Sequence, residues 1–142
     1  MTIAAILQGK GTEVLTVQGE TPVHEALGVL ADRRIGALPV VKNGQVVGIM
    51  SERDIIYKLR SDGAAMLDWT VERIMTAPAI TVTPATEIMS ALSLMTKRRI
   101  RHLPVVEGEA LIGLVSIGDL VKHRMDKIEA DAAAMLTYIQ SV

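Results

Sequence analysis

Two short segments carry the residues best suited to chemistry. Ser51-Glu52-Arg53-Asp54 and Ser116-Ile117-Gly118-Asp119 each place a hydroxyl three residues ahead of a carboxylate, where a β-favouring run gives way to a helical one. That spacing has two uses. A Ser with an acid at the third following position makes a capping box, whose side chains satisfy the open N–H groups of a helix start. The same helix start offers N–H donors and positive potential to an anion such as phosphate, and the Ser hydroxyl can join them. One arrangement can serve both purposes.

The rest of the chain offers no rival catalytic set. Cysteine is absent, which excludes disulfides, thiolate metal sites and thiol nucleophiles. His24, His102 and His123 fall in different elements without metal-site spacing, and no Gly-x-Ser-x-Gly elbow occurs. Gly9-Lys10-Gly11-Thr12 lacks the spacing of a phosphate loop and reads as a helix stop entering the first strand. The eight methionines read as adaptable core filler. A net charge of −1 with interspersed signs provides no basic field for nucleic acid, and 2% aromatic residues cannot build a base-stacking platform. Arg33-Arg34 and Lys97-Arg98-Arg99 sit at helix ends, where cations complement the dipole. The amino-terminal stretch lacks signal-peptide features, and no apolar run is long enough to span a membrane. The expectation is a cytoplasmic protein with no membrane partner.

The elements that position the two Ser-x-x-Asp segments come from a duplication. Arg33-Arg34-Ile35-Gly36-Ala37-Leu38-Pro39-Val40-Val41 returns 65 residues later as Arg98-Arg99-Ile100-Arg101-His102-Leu103-Pro104-Val105-Val106. The same shift relates Thr16-Val17 to Thr81-Val82, Gly48 to Gly113, Ser51 to Ser116 and Asp54 to Asp119, without a gap from Val14 to Arg124. Each copy reads as strand, helix, strand, strand, helix. Val14 to Val17 opens the first copy. Val23, Ala26, Leu27 and Leu30 form a helical stripe, matched by Ile88, Ala91, Leu92 and Met95. Asn43-Gly44 signals a hairpin between the next two strands, and Glu107-Gly108-Glu109 stands in its place in copy two. Met1 to Gln8 and Asp68 to Met75 read as lead-in helices, and Asp126 to Ile139 as a carboxy-terminal helix with Ile128, Met135, Leu136 and Ile139 free to face a partner.

With these residues in view, the chain resembles a pair of cystathionine-β-synthase (CBS) domains, the tandem arrangement called a Bateman module. The resemblance covers residues 6 to 125. It rests, twice in order, on Thr-Val in the first strand, the amphipathic helix, Leu-Pro-Val-Val and Gly-x-x-Ser-x-x-Asp. It implies an α/β (α+β) fold of two pseudo-symmetric β-α-β-β-α repeats packed through their sheets, plus a carboxy-terminal helix. The expected segments are 1–64 and 65–125 for the repeats with their lead-ins, and 126–142 for the helix. Ser51-Glu52-Arg53-Asp54 is also similar to the Thr/Ser-x-Arg-Asp sequence of small bacterial members that stand alone.

The resemblance further implies a non-catalytic regulatory module that binds adenosine nucleotides between the repeats and signals by changing shape. AMP is the first expectation, with ADP, ATP or NAD as alternatives; the expected partners are a second copy of the chain and an unidentified target. No metal or catalytic cofactor is implied. The contrasting reading is a dimeric scaffold that works without ligand. One cleft, the preferred site, would join Ile80, Ile100, Arg101 and His102 to Met50, Ser51, Arg53 and Asp54. The other would join Leu15, Ile35, Gly36 and Ala37 to Ser116, Gly118 and Asp119; a contact between the Gly9-to-Thr12 loop and a ligand base is also implied. Arg53 and Arg101 make the first cleft the more cationic, and hydrogen bonds between charged groups are about twice as strong as neutral ones.

Overall fold

The computed structural model describes residues 1–141. Helix α1 spans Ile3–Lys10, strand β1 Val17–Gln18, helix α2 Val23–Arg33, strands β2 and β3 Ala37–Lys42 and Gln45–Ser51, and helix α3 Glu52–Asp62. A 3-10 turn at Ala64–Asp68 leads to the single-turn helix α4, Val71–Ile74. The second copy contributes α5 (Ile88–Arg98), β4 (His102–Glu107), β5 (Ala110–Ser116) and α6 (Ile117–Ser141).

Local chemistry accounts for these boundaries. Helix α2 buries Val23, Ala26 and Leu30 on one stripe, and α5 buries Ile88, Ala91 and Met95 at the matching positions. Both helices end on an arginine in the left-handed region, Arg34 (φ 53°) and Arg99 (φ 54°), a conformation that stops the helix and turns the chain into the next strand. Asn43 and Gly44, with φ of 53° and 79°, form the two-residue turn that their types predict, and β2 pairs antiparallel with β3 through Leu38↔Met50 and Val40↔Gly48. In the second copy Leu103 pairs with Val115 and Val105 with Gly113. The register shifts at the same place in both hairpins, Val40/Val41 and Val105/Val106.

The first strand of each copy is shorter than expected. β1 retains two residues, parallel to β2. Its counterpart shrinks to a single parallel bridge, Val82↔Val105. Pro78 and Pro84 flank that bridge and cannot donate to a ladder. The Asp68-to-Met75 segment follows the 3-10 turn at Ala64–Asp68 and forms one helical turn, Val71–Ile74, rather than a helix along its whole length. At the carboxy terminus there is no separate helix, because α6 runs unbroken from Ile117 to Ser141.

Two hydrophobic cores result, and they cross the sequence. Ile3, Ile6 and Leu7 of α1 pack with Val82, Ile88, Leu103, Val115 and Leu120 of the second repeat. Met66, Val71 and Ile74 pack with Val23, Leu38, Val40, Met50 and Ile55 of the first. Each lead-in segment thus closes the other repeat. Two glycines admit these crossings: a Cβ at Gly48 would lie 2.7 Å from Met75 Sδ, and one at Gly113 would lie 2.6 Å from Leu7 Cδ2.

Candidate inter-repeat ligand site

Both Ser-x-x-Asp segments form the capping box that their spacing predicts. Ser51 N–H donates to Asp54 Oδ2 (2.8 Å) and Asp54 N–H to Ser51 Oγ (3.4 Å); the same pair at Ser116 and Asp119 measures 2.8 and 3.2 Å. The first N–H of each helix is also taken, by Gly36 O in α3 (3.0 Å) and Arg101 O in α6 (2.8 Å). Two of the first three N–H groups of α3 are therefore already bonded within the protein, so an anion here depends mainly on side chains.

Those side chains converge on two clefts at the seam between repeats. The first is lined by Ser51, Arg53, Asp54, Ile49, Gly36 and Ala37 from one repeat, and by Ile80, Arg99, Ile100, Arg101 and His102 from the other, with Thr76 between them. Seven of the eight residues expected here stand around it: Ile80, Ile100, Arg101, His102, Ser51, Arg53 and Asp54. Met50 does not. Its side chain is wholly buried in the first core, because strand alternation points it away from the cleft and points Ile49 and Ser51 toward it.

The polar groups of this cleft are tied across the repeats. Arg101 Nη2 donates to Glu52 Oε1 at 2.7 Å, Arg53 Nη1 donates to Arg99 O at 3.0 Å, and Thr76 Oγ1 donates to Asp54 Oδ1 at 3.0 Å. With these ties closed the cavity is about 90 Å³. Ligand pockets for drug-sized molecules measure about 300–1,000 Å³, so with Arg53 and Arg101 on their present partners the cavity is smaller than such a pocket. Both side chains lie at the surface and can swing.

The second cleft, about 360 Å³, is lined by Leu15, Ile35, Gly36, Ala37 and Ser116 as expected, together with Lys10, Glu13, Val14, Arg34, His102 and Leu114. Gly118 and Asp119 are not on its wall. Lys10 reaches over from the end of α1 and donates to Asp119 Oδ2 (2.6 Å) and Leu114 O (2.8 Å), so its ammonium stands between the carboxylate and the cavity. Burial pushes the Asp119 carboxyl up, but the Lys10 and Ser116 hydrogen bonds and the Lys10 charge outweigh it and hold it below the ordinary range. Lys10 and Arg34 also make this cleft more cationic than expected, although the three arginines of the first still exceed them.

His102 stands between the clefts and lines both. Gly36 makes room for it, since a Cβ there would lie 2.9 Å from His102 Cε1. Burial, and then the Arg101 charge, lower the His102 pKa, so the ring is held neutral. Thr76 and Arg99 were missed in the sequence, because their contacts with Asp54 and Arg53 are remote along the chain, whereas Lys10 belongs to the loop expected near a ligand base.

This geometry can be set beside known proteins. The CBS domain family pattern matches residues 11–61 and 71–126. The chain belongs to the CBS domain family. A CBS domain-containing protein of Arabidopsis thaliana, CBSX3, described as mitochondrial, is 35% identical over 148 residues, covering 98% of this chain and 72% of that protein. A signal-transduction protein with CBS domains from Burkholderia ambifaria superposes with a TM-score of 0.83 at 40% identity, over 89% of this chain and 95% of the other. Two CBS pairs solved with ligands also superpose. CBSX2 in complex with AMP gives a TM-score of 0.72 at 25% identity, over 88% and 96% of the two chains. The pair of MJ0100 with 5-methylthioadenosine and S-adenosyl-L-methionine gives 0.79 at 26%, over 89% and 98%. In this CBS pair no described helix is long and apolar enough to cross a membrane, and no described cluster of His, Asp or Glu could hold a metal ion.

Proposed function

We propose that this CBS pair is a non-catalytic regulatory module that binds an adenosine nucleotide between its repeats, AMP before ADP, ATP or NAD, and passes the resulting shift in packing to a protein target. A second copy of the chain is a further partner. The observation that carries the reading is the first cleft: a hydroxyl and a carboxylate from one repeat, and apolar and guanidinium side chains from the other, face a single cavity. Ile80 and Ile100 offer an apolar wall to a base. Asp54 suits a ribose diol, and Ser51, Arg53 and Arg101 suit phosphate. The AMP-bound and S-adenosyl-L-methionine-bound relatives support an adenosine moiety as the common element.

Release of the Arg53–Arg99 and Arg101–Glu52 contacts links ligand to shape, because both contacts join the two repeats. The shift can be only as large as the ligand's preference for one arrangement over the other. The test is a thermal melt against a nucleotide panel. Ligand at a hundred times its Kd stabilises by about 2.7 kcal/mol, or roughly 9 °C for a chain of this length. Arg53→Ala removes a charge-assisted bond of about 1.5–3 kcal/mol and weakens AMP at least about tenfold. No shift with any adenosine compound would overturn the reading in favour of a ligand-independent scaffold. Unchanged AMP affinity in Arg53→Ala would overturn the choice of cleft.

A further inference from the structure

Helix α6 begins as the counterpart of α3 but does not stop where α3 stops. α3 ends at Asp62, which the 65-residue shift maps onto Lys127, whereas α6 continues to Ser141, about four turns further. Every residue from Ile128 to Ser141 is exposed. Apolar side chains nevertheless recur along the helix at Val121, Met125, Ile128, Ala132, Met135 and Ile139, in steps of four, three, four, three and four. That is the 3.5-residue period of a helix–helix seam. Its large members, Val121, Met125, Ile128, Met135 and Ile139, are between 42% and 61% exposed. The face that packs on the body, carrying buried Leu120 and half-buried His123 and Lys127, lies about a third of a turn away.

The charges flanking the seam identify the occupant. Lys122 and Arg124 border it on either side, and Glu129 and Asp131 border it one heptad later. A basic pair followed by an acidic pair complements itself when a second identical helix runs antiparallel. With Val121 against the partner's Ala132 and Met125 against the partner's Ile128, Lys122 meets the partner's Glu129 and Arg124 meets the partner's Asp131. Two-fold symmetry doubles both contacts to four. An in-register parallel pair gains only the two Arg124–Glu129 contacts.

We infer that residues 121–139 of α6 form an antiparallel helical zipper with the same residues of a second copy of this chain, centred between Met125 and Ile128. The inference rests on the reading of the chain as a homodimer and gives that dimer a register. It does not require nucleotide.

The chain has no cysteine, so introduced ones report cleanly. Full-length Val121→Cys and Ala132→Cys chains, co-expressed and oxidised, give a mixed disulfide-linked dimer. Neither variant links to itself, because identical positions stand about 16 Å apart along the axis. Efficient self-linking of Ala132→Cys would establish a parallel pair and overturn the register. A dimer by sedimentation that forms no mixed disulfide would overturn the zipper while leaving the homodimer reading standing. A monomer at all concentrations would remove both. Lys122→Glu with Arg124→Glu weakens the dimer at least about tenfold, and adding Glu129→Lys and Asp131→Lys restores it; failure of that restoration would also sink the zipper.

Discussion

Removal of the Lys10 side chain tests what holds the wall of the second cleft in place. Its ammonium makes two bonds, to Asp119 Oδ2 at 2.6 Å and to Leu114 O at 2.8 Å, and joins the end of α1 to the start of α6. A charge-assisted hydrogen bond is worth about 1.5–3 kcal/mol when well shielded. Here the Lys10 side chain is 41% exposed and that of Asp119 27%, so water replaces much of what Lys10→Ala removes. The loss comes down to about 1 kcal/mol. For 142 residues, at about 2.1 cal/mol/K of unfolding entropy per residue, that lowers Tm by about 3 °C at pH 7. The pH dependence follows from the depressed Asp119 carboxyl. Its contribution is fully present above the unfolded-state carboxylate pKa and is lost as pH falls through the lower folded-state value. Melts of wild type, Lys10→Ala, Asp119→Asn and the double variant, recorded from pH 7 into the acid range, give the coupling directly. The Lys10→Ala deficit narrows in acid and shrinks to the Leu114 contact in the Asp119→Asn background. A deficit that persists at full size in both conditions would refute the pairing as its source.

His102 supplies a second pH signature in a higher window. Burial, and then the Arg101 charge, keep the ring neutral in the folded protein, with Lys10 adding to them and Glu52 and Asp119 opposing, so the unfolded chain binds the proton more readily. Stability therefore falls as pH drops from 7 through the unfolded-state value near 6.5 and on to the lower folded one, and His102→Gln flattens that part of a Tm-versus-pH curve. Gly48→Ala and Gly113→Ala should separate. The first sets a Cβ 2.9 Å from the Thr76 carbonyl, held by backbone bonds to Ile49, and costs about 2 kcal/mol or about 7 °C. The second meets only Leu7 side-chain atoms, which can rotate, and costs less. Equal Tm losses would count against the crossing geometry at Gly48.

Much of this was legible because it is local or repeated. The 65-residue shift carries both hairpins, both capping boxes and the buried stripes of α2 and α5, and each follows from neighbours within a few residues. Met50 was misplaced in the cleft although two-residue alternation, which separates it from Ile49 and Ser51, points it into the core. What stayed hidden depends on contacts distant along the chain. Nothing in the spacing of Ile3, Ile6 and Leu7 says which repeat they cover. Nothing around Lys10 reveals an acid 109 residues away, or around Arg53 the Arg99 carbonyl.

The crossed lead-ins have a mechanical consequence. Because α1 is rooted in the core of the second repeat while the chain leaving it enters the first, the segment from Gly11 to Thr16 is a strap drawn across the seam. The segment from Thr76 to Thr81, leaving Ile74 in the first core for Val82 in the second, is a second strap running the other way. Any ligand that opens or closes the clefts must pull on both at once. The two halves therefore work as one coupled hinge, and a force applied to the amino-terminal helix is felt first in the repeat farther along the chain.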